Sequence, residues 1–200
     1  MLEQRIEQHF IDSADLKYQA AQLLSKPIAA AVQAMMVCVT SGGKVLACGN
    51  GGSAAAAQHF AADFINNFER ERPELAAIAL ATDISTLTAI ANEHAFGAIF
   101  SRQVRALGSS GDLLLAISPN GNCANVQDAI RAAHEREMVV IGLTGHGGGK
   151  IAQLLRDTDV HICVPHERTA RILEVHMLAM HCICDAVDTQ LLGEQEEKTP

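Results

Sequence analysis

The chain has 200 residues, enough for one domain, and 48 % of them are hydrophobic, enough for a full core. A net charge of −8, 4 % aromatic residues and no tryptophan argue against a nucleic-acid surface, which needs clustered Lys and Arg and stacking platforms, and against an anionic membrane surface. No apolar run of about 18 residues stands out as a membrane span, and the N-terminus MLEQRIEQHF is charged and amphipathic, unlike a signal peptide.

Residues 2–24 read as an amphipathic helix, with Ile6, Phe10, Ile11, Leu16 and Leu23 at helical spacing. Pro27 suits the first position of a second helix over residues 27–40, where its missing N–H costs nothing, and Ser41-Gly42-Gly43 ends it. Strands then alternate with helices. Strands are expected at 44–48, 75–80, 112–117, 139–143 and 160–164. Helices are expected at 53–67, 84–92, 96–106, 123–136, 149–155 and 168–192, with a polar tail over 193–200. Apolar strands such as LLLAI and VVIGL, each followed by a turn and a helix, predict a parallel sheet covered on both faces. Right-handed crossovers then bring the polar turns 49–53, 118–123 and 144–149 to the C-terminal sheet edge, where such sheets bind ligands. The six cysteines, Cys38, Cys48, Cys123, Cys163, Cys182 and Cys184, form no C-x-x-C pair and read as reduced, mostly core residues of a cytoplasmic protein. Cys182 and Cys184, two apart on a helix, point to different sides.

Three constellations could carry chemistry. The turn Gly49-Asn50-Gly51-Gly52-Ser53 closes a strand and opens a helix, whose N-terminal N–H groups and dipole favour an anion. It lacks the Lys of a P-loop and the spacing of a dinucleotide fingerprint; a ligand-free tight turn is the other reading. The turn Ser118-Pro119-Asn120-Gly121-Asn122-Cys123 has the same placement, while Thr144–Gly149 reads equally well as a bare turn or as a contact. His59 and Asp63, four apart on the helix after the first turn, share one face among small and apolar neighbours; a surface or interface His–Asp pair is the alternative. Glu174, His176 and His181 lie in the apolar run of the last helix, Glu174 and His181 on one face. A packed core histidine is the bland reading of either imidazole.

At Gly49–Ser53, His59, Ser118–Cys123 and Arg171–His181, and along the segments F-E-R-E-R-P-E-L-A-A-I-A-L, T-A-I-A-N and R-I-L-E-V-H-M-L, the chain resembles the sugar isomerase (SIS) family. Within that family it is similar to the phosphoheptose isomerases and their relative, the DnaA initiator-associating protein. The resemblance spans nearly the whole chain. It implies an α/β fold, a three-layer α/β/α sandwich on a five-stranded parallel sheet: one SIS domain with a helical arm at 1–40, a core at 41–192 and a tail at 193–200. It implies a homotetramer joined through the N-terminal helices. It also implies interconversion of sedoheptulose 7-phosphate and D-glycero-D-manno-heptose 7-phosphate, feeding lipopolysaccharide synthesis. The family pattern puts substrate contacts on Asn50, Gly51, Gly52 and Ser53, on Asn92 and Glu93, and on Ser118, Asn120 and Cys123. It puts the acid/base pair on Asp63 and His181, and a zinc ion, where one is present, on His59, Asp63 and His181. Aldose–ketose isomerisation needs one group for the carbon proton and one for the oxygen protons, work suited to a carboxylate and an imidazole. The chain departs from the isomerase pattern at Asp63 (Glu there), Leu173 (Gln), Glu93 (Asp) and the turn S-P-N-G-N-C (S-T-S-G-N-S). A DnaA-binding regulator of replication initiation and a non-catalytic phosphosugar sensor are the alternatives to the enzyme.

Overall fold

Five short apolar segments form one parallel sheet in the order β2-β1-β3-β4-β5. The computed structural model describes residues 1–193; the expected tail at 194–200 lies outside them. The strands are β1 (Val45–Gly49), β2 (Ala77–Ala79), β3 (Leu113–Ser118), β4 (Val139–Thr144) and β5 (Val160–Cys163). The helices are α1 (Leu2–Thr40), α2 (Gly52–Ile65), α3 (Ile84–Glu93), α4 (Ile99–Leu107), α5 (Ala124–Glu135), α6 (Gly149–Ala152) and α7 (Thr169–Leu192), with single 3₁₀ turns at Phe96–Ala98 and His146–Gly148.

Alternate strand residues serve two cores, which explains the unbroken apolar runs. Val45, Ala47, Leu113, Leu115 and Ile117 face α1, α2 and α7. Leu46, Cys48, Leu114, Ala116 and Val140 face α4, α5 and α6. The result is the expected three-layer sandwich. The edge strand β2 is shorter than expected. It pairs only with β1, Ile78 is exposed, and the Leu75 N–H bonds to the Phe64 carbonyl instead of extending the ladder.

The two helices expected before residue 40 are one, with Pro27 inside it. The buried positions Leu16, Ala20, Leu24, Ala31, Val32, Met35 and Cys38, with Ile28 packed beside them, keep one helical phase across the proline. The carbonyl that Pro27 leaves without a donor belongs to Leu23, an exposed residue that water can serve. Tertiary packing thus overrides the local break. The same helix contains a window long and apolar enough to cross a membrane, contrary to the sequence expectation. Part of that helix, Ala31 to Cys38, is instead buried against the sheet.

The strand order reverses between β1 and β3, so the turns that follow these strands sit side by side at the C-terminal sheet edge. A crevice at such a switch point is the usual ligand position in open α/β sheets.

Candidate active site

At the end of β1, a Cβ on Gly49 would lie 2.6 Å from the Ser53 Cβ and 2.9 Å from the Ile117 carbonyl oxygen. Only glycine lets α2 fold back so close to the strand. Gly51 has φ 55°, in the left-handed region, and leaves α2 without a side-chain cap. The Ser53 N–H donates to the Asn50 carbonyl at 3.0 Å and the Ala54 N–H to the Gly51 carbonyl at 3.0 Å, which leaves the Gly52 N–H at the head of α2 without a main-chain partner among the described residues. The Ser53 side chain beside them is 2 % exposed, and its Oγ has no partner among the described residues. Asn50 exchanges two hydrogen bonds of 2.8 Å with buried Asn125, on the first turn of α5. This pair ties the first turn to the second.

The second turn, 118–123, precedes α5, which also begins without a side-chain cap. Within the turn the Asn120 Oδ1 accepts from the Ser118 hydroxyl at 3.4 Å and the Asn122 N–H at 3.0 Å. Cys123 Sγ stands 3.9 Å from the same oxygen. The third turn is not bare: it braces the second. Gly145 N–H donates to Pro119 O at 2.8 Å, Ile151 N–H to Gly121 O at 2.9 Å, and Lys150 N–H to Asn122 Oδ1 at 3.1 Å. From α7, the buried His176 Nε2 meets Thr144 O at 2.9 Å. Burial holds the His176 imidazole neutral, down to about 4, although the bond to Thr144 opposes the shift. His176 is thus a packed core histidine.

Helices α2 and α7 run alongside each other in parallel. Near the sheet edge Gly52 abuts Leu173, whose Cδ1 would be 3.0 Å from a Cβ added at 52. Seven residues further along α2, about 10 Å down the helix, His59 Nε2 and His181 Nε2 are 3.0 Å apart. His59 Nε2 is also 3.3 Å from Asp63 Oδ2. One ligating atom from each of His59, Asp63 and His181 falls within 4.8 Å of the others. Asp63 Oδ2 is buried, and apart from this ion-pair contact with His59 it has no hydrogen-bond partner among the described residues. Two imidazole nitrogens this close either share one proton or direct both lone pairs at a common cation. Together with a carboxylate oxygen they suit zinc. The Phe68 ring, 5.2 Å from that of His181, covers one side. Burial, then the charges of Asp63 and Asp188, push the Cys184 thiol strongly up, so it stays protonated below the cluster.

The structure thus joins His59, Asp63 and His181 in one cluster between α2 and α7, with Asn50–Ser53 at the head of α2 and tied through Asn125 to the start of α5, which follows Ser118–Cys123. Asn92 and Glu93 are exposed at the end of α3, and no hydrogen bond or ion pair among the described residues ties them to the cluster. Glu174 and His181, set on one face by their seven-residue spacing, have different partners. α1 packs over this part of α7, and Glu174 there accepts from Ser13 Oγ at 2.6 Å and pairs with Arg171 at 2.8 Å. Sequence reasoning missed Asn125, Phe68, Arg72 and Asp188. Their roles depend on contacts between elements far apart in sequence, for which spacing carries no signal.

The SIS domain family matches residues 8–145 of the chain. A phosphoheptose isomerase of Methylibium petroleiphilum is 68 % identical over 196 residues, covering 98 % of each chain. The structure of phosphoheptose isomerase GmhA from Neisseria gonorrhoeae superposes with a TM-score of 0.90 at 53 % identity, covering 94 % of this chain and 100 % of that one. That of a phosphoheptose isomerase from Francisella tularensis gives 0.92 at 43 % identity, covering 94 % and 99 %.

Proposed function

The chain belongs to the SIS domain family, among the phosphoheptose isomerases, and from this premise we propose that it interconverts sedoheptulose 7-phosphate and D-glycero-D-manno-heptose 7-phosphate through an enediol. The observation that carries the proposal is the His59–Asp63–His181 cluster, set about 10 Å along α2 from its uncapped N-terminus. The phosphate sits at the upper end, on the N–H groups at the start of α5 and the Gly52 N–H, with Ser53, Ser118, Asn120 and Cys123. Asn50, Gly51 and Gly52, with Asn92 and Glu93, take the sugar hydroxyls. The chain of carbons then runs down the crevice and presents C1 and C2 to the cluster. Anchoring a remote phosphate in this way supplies orientation to the reacting end.

Asp63 removes the proton from C1 while His181 protonates the oxygen on C2. Collapse of the enediol in the aldose direction returns the carbon proton to C2 and takes the proton from the oxygen on C1. An imidazole, which titrates near neutral pH, suits the oxygen transfers in both directions. His59, Asp63 and His181 are the donors that would hold zinc, and the buried Asp63 Oδ2, with no hydrogen bond among the described residues, fits such an ion. When bound, the metal polarises the substrate oxygen as a Lewis acid.

A DnaA-binding regulator or a phosphosugar sensor needs no such cluster, so the geometry favours the enzyme. The decisive measurement is conversion of sedoheptulose 7-phosphate by the purified chain, with and without zinc. Absence of turnover in both conditions overturns the proposal; ligand binding without turnover would indicate the sensor, and retention of DnaA without turnover the regulator. As part of the same proposal, the product feeds lipopolysaccharide synthesis, and the enzyme works in the cytoplasm as a homotetramer. The six cysteines, all free, accord with a reducing compartment.

A further inference from the structure

Below the cluster a buried ion pair fastens α2 to α7. Arg72 Nε donates to Asp188 Oδ1 at 2.5 Å, with side chains 0 % and 2 % exposed. The two terminal nitrogens of the same guanidinium reach the end of α2. Nη2 donates to the Asp63 carbonyl at 2.8 Å and Nη1 to the Phe64 carbonyl at 2.9 Å. These carbonyls lie in the last turn of α2 (Gly52–Ile65), where a helix has no amide of its own to offer them. Asp188 stands seven residues, two turns, beyond His181, so the same side of α7 that presents His181 also holds the guanidinium.

From this arrangement we infer that Arg72, held by Asp188, is a positioning residue that sets the place of the Asp63 carboxylate against His59 and His181. The inference rests on the reading of Asp63 and His181 as the acid/base pair. Fixing the Asp63 carbonyl fixes its Cα, and only two side-chain torsions then separate Cα from the carboxylate. Aspartate is one methylene shorter than glutamate, so its side chain cannot absorb a shift of the helix. A buried ion pair adds little net stability over a well-packed apolar pair, whereas the guanidinium fork specifies geometry in a way an apolar pair does not.

The test replaces both partners, Arg72→Met with Asp188→Leu, so that no unpaired charge is left buried. The variant is expected to fold. Its crystal structure is expected to show the Asp63 carboxylate displaced by more than about 0.5 Å relative to His59 and His181. KM is expected to stay within about twofold while kcat falls at least about tenfold. A folded variant with an unmoved Asp63, or with kcat within about twofold of the parent, overturns the inference. If the double variant does not fold, Asp188→Asn, which keeps the shape and removes the charge, carries the same comparison. Inactivity of the unchanged chain would instead overturn the proposed reaction, and the variant's crystal structure alone would then decide the positioning claim.

Discussion

Asp63 carries a buried carboxylate oxygen that faces the His59 Nε2 at 3.3 Å, with the His181 Nε2 in the same cluster. A buried carboxylate oxygen with no full hydrogen bond among the described residues suits a site that takes a proton or a cation. Asp63→Asn keeps the shape and removes the base; His181→Ala removes the imidazole. Each is expected to lower kcat by about 10²- to 10⁴-fold with native circular dichroism; a folded variant with near-parental kcat would remove that residue from the chemistry. Metal analysis separates a second role: zinc added to the unchanged chain is expected to stay bound through gel filtration and to be lost from His59→Ala. Gly121 makes the next prediction at this scale. Its φ is 65°, and a Cβ there would sit 1.9 Å from the Gly148 carbonyl oxygen. Gly121→Ala must push the third turn away from the second, at a cost of about 1–3 kcal/mol, and is expected to raise KM for a phosphorylated sugar more than it lowers kcat. The i, i+4 pair of His59 and Asp63 was legible in the sequence because one helix brings it together. Asn125 and Arg72 were not, because their partners Asn50 and Asp188 belong to other elements. Glu174 misled for a related reason: helical spacing names a face, but not which helix covers it.

At the level of elements, the strands could be read from their apolar runs, and the three turns from glycine and polar residues at the strand ends. What spacing could not reveal was that the third turn supports the second, since those contacts run through main-chain groups such as Gly145 and Ile151. Nor could it reveal that α1 ignores Pro27, since continuity there depends on the sheet beneath. His176 links α7 to that supporting turn and makes its stability depend on pH. Its folded-state value is depressed from 6.5 to about 4 by burial. Above pH 6.5 both states are neutral and the stability is fully present. Between 6.5 and about 4 the unfolded chain takes up a proton that the native state refuses, so stability falls as pH falls, by on the order of 3 kcal/mol. Burial also lowers the value of His161, which adds in the same direction. A series of Tm values from pH 7 to 4 is expected to decline, and to decline less steeply in His176→Gln, which keeps a donor for Thr144 O but does not titrate. Equal slopes in the two proteins would show that His176 is not the group responsible.

The molecule as a whole leaves one face unfinished. Along α1 the side chains of Ile6, Phe10, Ile11 and Leu23 are 49 %, 74 %, 45 % and 61 % exposed, and an apolar groove between α1 and α7 opens beside them, lined by Ala20, Leu24, Val32, Leu178 and Ala179 among others. Burying each such side chain fully is worth about 1.5–3 kcal/mol, so covering the face with a second copy of the same helix recovers several times the energy of a typical surface contact. These residues were the apolar stripe read first in the sequence. Their spacing correctly indicated a helix but did not say that only Leu16 of the five would turn inward. The homotetramer proposed above is expected to use this face. Phe10→Asp with Leu23→Asp disturbs nothing inside one subunit, since both side chains point outward, yet in an interface it buries unpaired carboxylates at several kcal/mol each. In light scattering the unchanged chain is expected at the mass of a tetramer, and the double variant as a smaller species with undiminished helical circular dichroism. A parent that runs as a monomer, or a double variant that stays tetrameric, would show that the exposed stripe of α1 does not hold the assembly together.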